Sequence, residues 1–247
     1  MKSPLRYPGG KTRAIKILEK YIPEGTKEIC SPFFGGGSFE FHLEEKGIKV
    51  HGYDNFDLLV NFWNQIKKNP QVVSKYFRHY EIPFNKETFY AIQKKITQYE
   101  PNDMVAAWFY ILNRCSFSGS TLSGGMSPNT PRFNQRAIDY INEFKTNIDV
   151  KLLPFEKSIT KHDCLVFADP PYFIDDNLYG NKGDMHKGFN HKLLSEMLIE
   201  RGNFVLTYND CDYIRELYKW FKIDEVSWSY GMNKSKKSNE IIIACYR

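Results

Sequence analysis

Hydrophobic and polar positions follow two periods along this chain, and the dominant period changes twice. Residues 12–21 (TRAIKILEKY) carry Ile15, Leu18 and Tyr21 at helical spacing, with Thr12 placed as the N-cap. Residues 27–34 (KEICSPFF) predict a short strand, Gly35, Gly36 and Gly37 follow, and SFEFHLEEK predicts a helix from Ser38. Residues 48–54 predict a second strand ending at Asp54. Strand, glycine turn, helix and strand in that order open a parallel α/β sheet.

The middle of the chain loses the strand period. Residues 57–68, 71–81, 85–99 and 102–115 all predict helices, so a helical subdomain is inserted into the alternating pattern. Residues 116–135 form a Gly/Ser/Pro-rich loop of a length that is usually functional or disordered, and a helix near 136–146 leads back to the sheet. The alternation then resumes. KLLPF (151–155) and CLVFA (164–168) predict strands, and a polar loop spans 173–189. Helix 191–201, strand 204–208 and helix 211–220 follow, and 222–230 with 239–246 predict a terminal antiparallel pair. The expected division is a sheet domain from 1–56 and 148–247 around an insertion at 57–147.

Composition narrows the class. The 247 residues are 42% hydrophobic, enough for one large domain or a core domain with an insertion. No stretch reaches the roughly 18 apolar residues of a membrane span, and Met1–Gly10 is polar and Pro/Gly-rich, unlike a signal peptide. Cytoplasm is therefore expected, in a prokaryote or a virus-infected host. Five scattered cysteines without a Cys-x-x-Cys point to reduced, buried thiols rather than a metal site. The net charge of +5 permits a polyanionic partner. Basic residues gather at Lys11, Arg13, Lys16 and Lys20, and again at Lys234, Lys236 and Lys237, as solvated surface or as phosphate contacts.

Two motifs carry chemistry. The glycine turn, Ser31 to Ser38, lies between strand and helix, where a ligand meets free N–H groups at a helix start. Asp54 ends the next strand about 20 residues on, where an acid meets ribose hydroxyls. A nucleoside-type cofactor fits. A dinucleotide is disfavoured, because Glu40 stands where the third glycine of Gly-x-Gly-x-x-Gly belongs. The second motif is Asp169-Pro170-Pro171-Tyr172, directly after an apolar strand and so at the carboxyl edge of a sheet. The prolines remove two donors and leave carbonyl acceptors. A carboxylate and a proline carbonyl aimed at one place suit a planar NH2 group, and Tyr172 offers a face for stacking.

Leu5-Arg6-Tyr7-Pro8-Gly9-Gly10-Lys11, SPFFGGGS, Gly52-Tyr53-Asp54-Asn55, Asn113-Arg114 with Phe117 and Gly119, and DPPY occur in this order. Together they resemble the Dam-type (D12 class, alpha-group) DNA adenine-N6 methyltransferases. The resemblance spans nearly the whole chain. It implies a Rossmann-like sheet with antiparallel C-terminal strands, a helical target-recognition insertion, S-adenosylmethionine as cofactor and double-stranded DNA as partner. No obligatory protein partner is implied.

The resemblance also assigns roles. Tyr7, Gly9, Gly10 and Lys11 would flank the methionine end of the cofactor, Phe33, Gly35 and Gly37 would line it, and Asp54 would hold its ribose. Phe155 either covers the cofactor's adenine or is a core phenylalanine. Asp169, Pro170, Pro171 and Tyr172 would be the catalytic motif gripping the flipped adenine, with Asp169 also bordering the cofactor. Arg6, Arg114, Phe117 and Ser118 would face DNA, with Phe117 as a wedge in the base stack. Lys11, Arg13, Arg114 and the 234–237 turn would bind phosphates, and loop 173–189 would close over the flipped base. No metal is needed.

Two departures stand out. Ser31 replaces the acid that usually opens the glycine motif, so cofactor binding is weaker or another group substitutes. Ser120-Thr121-Leu122 replaces a stretch with a base-reading arginine, which puts the family's common GATC target in doubt and leaves Arg132 or Arg136 as candidate readers. The rival readings are an amino-methyltransferase acting on RNA adenine, cytosine N4 or a protein glutamine, and a non-catalytic DNA-binding scaffold.

Overall fold

A computed structural model describes residues 1–82, 84–128, 132–173, 188–228 and 239–246. Among the described residues seven strands form one sheet: β1 (Glu28–Ser31), β2 (Lys49–Asp54), β3 (Asp149–Leu152), β4 (Leu165–Ala168), β5 (Phe204–Asn209), β6 (Ile223–Val226) and β7 (Glu240–Cys245). The order is β3-β2-β1-β4-β5-β7-β6. The first five run parallel, and β7 runs antiparallel between β5 and β6. This is the expected Rossmann-like sheet with antiparallel C-terminal strands. Chain direction across the sheet reverses between β1 and β4, so a crevice opens beyond their carboxyl ends, where open α/β sheets take ligands.

The helices are α1 (Ile15–Leu18), α2 (Ser38–Glu45), α3 (Asp57–Lys68), α4 (Pro70–Lys75), α5 (Lys86–Lys95), α6 (Asp103–Cys115), α7 (Gln135–Glu143), α8 (Phe155–Ser158), α9 (His191–Arg201) and α10 (Asp212–Leu217). Five of them, α4, α5, α6, α7 and α9, start behind an asparagine. In each the Asn side chain accepts from the backbone N–H three residues on, which satisfies a donor the helix cannot.

The side-chain alternation of the strands builds two cores. Ile29, Leu165, Phe167, Val205 and Ile242 point to the face covered by α1 to α7. Cys30, Val166, Ala168, Phe204, Leu206, Ile241 and Ile243 point to the face covered by α8, α9 and α10. Strands buried on both faces explain why β4 and β5 read as unbroken apolar runs. On the first face the apolar contact continues into the middle helices. Phe34, Phe41 and Trp63 meet edge to face, Trp63 reaches Phe62, and Phe62 stacks on Tyr110 at 5.8 Å.

Several boundaries differ from expectation. Residues 12–21 are one α turn between two 3-10 turns, Lys11–Arg13 and Glu19–Tyr21. Thr12 caps nothing. Its hydroxyl donates to Ser38 Oγ at 3.1 Å, and the inward positions are Lys11, Ala14 and Leu18. The first strand stops at Ser31, because Pro32 cannot continue a ladder. The third predicted strand ends at Leu152, and Pro154 starts a helical turn that carries Phe155. The 71–81 and 85–99 helices are shorter than predicted and close in 3-10 turns, Tyr76–His79 and Ile96–Gln98. Among the described residues, no helix is long and apolar enough to cross a membrane.

Candidate active site

The segment Arg6–Lys11 has no regular structure before Lys11, so side chains must hold it. Asn113, fully buried on α6, accepts from Arg6 N at 2.8 Å and donates to Arg6 O at 3.1 Å. A second contact tightens the clip: a Cβ on Gly119 would lie 1.6 Å from Arg6 O. Only glycine lets the 116–120 loop pass there. The next residue, Tyr7, lays its ring on the glycine turn, and a Cβ on Gly36 would lie 2.6 Å from Tyr7 Cβ. Two motifs far apart in sequence thus share one surface.

Asp54 shapes that turn from below. Its carboxylate accepts from Gly35 N at 2.9 Å and Phe56 N at 3.0 Å, and Trp63 Nε1 donates to Gly35 O at 3.0 Å. Burial raises the Asp54 pKa, and the backbone donors of Gly35, Phe56 and Asn55 pull it back in part. Tyr7 is raised well above the usual phenol range by burial first, then by the charges of Asp54 and Asp169.

Asp169 follows β4 at the crevice. Its Oδ1 accepts from Thr207 Oγ1 at 2.7 Å and pairs with Lys11 Nζ at 2.8 Å. Among the described residues Oδ2 accepts no hydrogen bond. Lys11 also donates to Gly9 O at 2.9 Å, and its ammonium lies 5.0 Å from the Tyr172 ring centroid. This corrects one expectation. Lys11 is 4% exposed and its charge is spent on Asp169, so it is not a phosphate contact; Arg13, next but one, is exposed.

Sequence reading missed the support behind this motif. Tyr172 Oη bonds to Glu240, a buried acid that opens β7 and comes within 4.0 Å of Lys11. Asn209 Nδ2 donates to Phe173 O at 2.7 Å and fixes the chain as it leaves the motif. Thr207, Asn209 and Glu240 interrupt apolar strand ends, and that interruption was the available signal. Pro170 is buried, while Pro171 and Tyr172 are half-buried.

Beside the turn stands an aromatic cluster. Phe33 lies 5.7 Å from Phe155 at 32° and 5.7 Å from Phe189, and Phe155 lies 5.2 Å from Phe189. Phe155 is thus brought to Phe33, from a helical turn rather than a strand. Phe189 was not foreseen. The rest of the expected covering loop, 174–187, lies outside the described residues, as does the 234–237 basic turn.

On the other side of the Arg6 clip, three guanidiniums gather. Burial first, then Arg132 and Arg114, bring Arg6 down to about 10. Arg6 Nη1 donates to Ser116 O at 3.3 Å, and Arg114 Nε donates to Arg132 O at 2.7 Å. Phe117, 55% exposed, projects from the same loop, whose Ser118 takes a left-handed φ of 55°. Such backbone is disfavoured for a non-glycine residue and recurs at functional sites. An exposed ring beside mutually repelling cations fits a stacked polyanion.

A family model described as D12 class N6 adenine-specific DNA methyltransferase matches residues 7–232. The chain is 28% identical to the Type II methyltransferase M.CviBI of Paramecium bursaria Chlorella virus NC1A, over 93% of this chain and 91% of that protein. It is 24% identical to a DNA adenine methylase of Vibrio cholerae, over 68% of this chain and 64% of that protein.

Proposed function

Because the chain belongs to the D12 class of N6 adenine-specific DNA methyltransferases, we propose that it moves a methyl group from S-adenosylmethionine to an adenine rotated out of duplex DNA. The observation that carries this reading is Asp169. It stands at the β1/β4 crevice, held by Thr207 and Lys11 through one oxygen, with the other left for a ligand.

The groups around the glycine turn fit such a cofactor. Asp54 has acceptor capacity for ribose hydroxyls, Phe33 and Phe155 offer flat faces for an adenine, and buried carboxylates suit a cationic ligand. When bound, S-adenosylmethionine supplies the methyl on a sulfonium, whose departure leaves a neutral group. The protein's task is then positioning and electrostatics. The amino nitrogen of adenine has its lone pair delocalised into the ring. Asp169 Oδ2 and the Pro170 carbonyl accept hydrogen bonds from its two hydrogens and favour a pyramidal nitrogen, and Asp169 takes up the proton that the methylated nitrogen must lose. Tyr172, held by Glu240, stacks on the base, and Lys11 keeps Asp169 aimed.

Unstacking the base costs a few kcal/mol, which Phe117 offsets by filling the gap. Arg6 and Arg114 anchor the backbone nearby, and the helical segment 57–147 forms the target-recognition part. Leu122 cannot read guanine as an arginine does, so the family's common GATC target is not carried over to this chain, and Arg132 and Arg136 are the candidate readers. Cytoplasm, of a prokaryote or an infected host, is the expected place of action. The test is to incubate the protein with labelled donor and unmethylated DNA, then digest to nucleosides. Label in N6-methyldeoxyadenosine is expected; label only in methylcytosine, RNA or protein would overturn the reading.

A further inference from the structure

Ser31 ends β1 at the crevice, and its hydroxyl donates to Glu40 Oε1 at 2.7 Å. Glu40 sits in the first turn of α2 and is 3% exposed. Its carboxylate therefore returns to the end of β1, beside the glycine turn. A carboxylate so deeply buried is costly unless a cation meets it. The charged groups that face it are Lys11 from the N-terminal segment, which favours its ionised form, and Asp169 from the end of β4, which opposes it. Lys11 is not its partner, since that ammonium is turned to Asp169 and Gly9 O and is not within ion-pair range of Glu40. Among the described residues no cation lies within ion-pair distance of Glu40. Burial outweighs the Ser31 hydroxyl and the helix-start N–H, and its pKa is pushed up to about 7. The described residues thus keep an acid at the ligand edge with a neutral donor on one side and no cation at ion-pair distance.

Resting on the S-adenosylmethionine reading above, we propose that Glu40, steadied by Ser31, receives the ammonium group of the cofactor's amino-acid end. Glu40 reaches by side-chain length the place beside β1 that Ser31 is too short to charge. It is a binding residue, distinct from the adenine-gripping Asp169.

Two probes separate the amino-acid end from the nucleoside: S-adenosylhomocysteine, which carries the ammonium, and 5′-methylthioadenosine, which lacks it. Binding of each is measured by calorimetry. Glu40→Gln keeps the volume and the bond to Ser31 but removes the charge. It is expected to weaken S-adenosylhomocysteine about tenfold or more, and 5′-methylthioadenosine less than about twofold. Equal losses for both, or no loss for either, would overturn the proposal. A wild-type measurement covers the case of a variant that fails to fold. Only ionised Glu40 pairs with an ammonium, so S-adenosylhomocysteine should bind about tenfold tighter at pH 8 than at pH 6, releasing a proton on the acid side. 5′-Methylthioadenosine should show no such rise, and parallel profiles would refute the assignment. Wild-type protein that binds neither compound would instead bring down the functional reading beneath it, and this proposal with it.

Discussion

At the carboxyl edge of the sheet the protein buries Lys11, Glu40, Asp54 and Glu240, whereas the helical segment beyond β2 buries Asn61, Ser74, Asn113, Ser116 and Thr121, all neutral. The neutral groups are consumed by the fold. Asn61 donates to Asn102 O, Ser74 to Gln71 O, and Asn113 clips Arg6 and Gly119. The charged groups at the edge are not all consumed. Among the described residues Asp169 Oδ2 accepts no hydrogen bond, and no cation lies within ion-pair distance of Glu40. Ionised groups are far costlier to bury than hydroxyls or amides, so their gathering at one rim marks the place where chemistry outranks stability.

The contrast can be broken most sharply at Asp169. Asp169→Ala should cut methyl transfer by about 10³-fold or more while S-adenosylhomocysteine binds within a few-fold of wild type. Normal turnover in a labelled-methyl assay would remove Asp169 from the chemistry. The helices should show the reverse pattern. Phe62→Ala, fully buried beside Trp63 and Tyr110, should cost about 3–5 kcal/mol in urea unfolding, since the cavity has no polar rescue. Retained stability would show that the aromatic layer is not the core it is taken for.

Glu40 sharpens the comparison through pH. Its folded-state value of about 7 lies above its ordinary 4.5, so the folded chain holds the proton longer than the unfolded chain. Its contribution to stability is full below pH 4.5 and is lost as pH rises through about 7, by at most about 3 kcal/mol. The difference between wild type and Glu40→Gln in unfolding free energy should therefore change across that window, and a flat difference would exclude the shift. The smallest effect is expected at the exposed ring. Phe117→Ala should leave the unfolding midpoint nearly unchanged and weaken base flipping by about tenfold, read by 2-aminopurine fluorescence in target DNA. An unaltered fluorescence response would exclude Phe117 as the wedge.

Much of this was legible in the chain. Strict apolar spacing marks α3 and α6, unbroken apolar runs mark β4 and β5, and the order of glycine turn and DPPY predicts a parallel sheet with a ligand edge. Less legible were the elements whose ends depend on partners. The 12–21 segment reads as one helix, yet Thr12 is drawn to Ser38 and Lys11 turns inward, so the buried face rotates away from Ile15. Phe155 reads as a strand residue, but Pro154 turns the chain into a helix before it.

The sequence by itself determined the alternation of elements, the position of Asp169 after a buried strand, and the presence of two clusters of basic residues. It could also say that Ser31 is not an acid. Only the tertiary structure decided that Lys11 neutralises Asp169 instead of reaching DNA, that Glu240 holds Tyr172, and that Glu40 bends back to Ser31. Periodicity acts along the chain and is written into local residue order. Ion pairs and hydrogen bonds act over a few ångströms of space, and which charges meet there depends on how distant strands are ordered in the sheet.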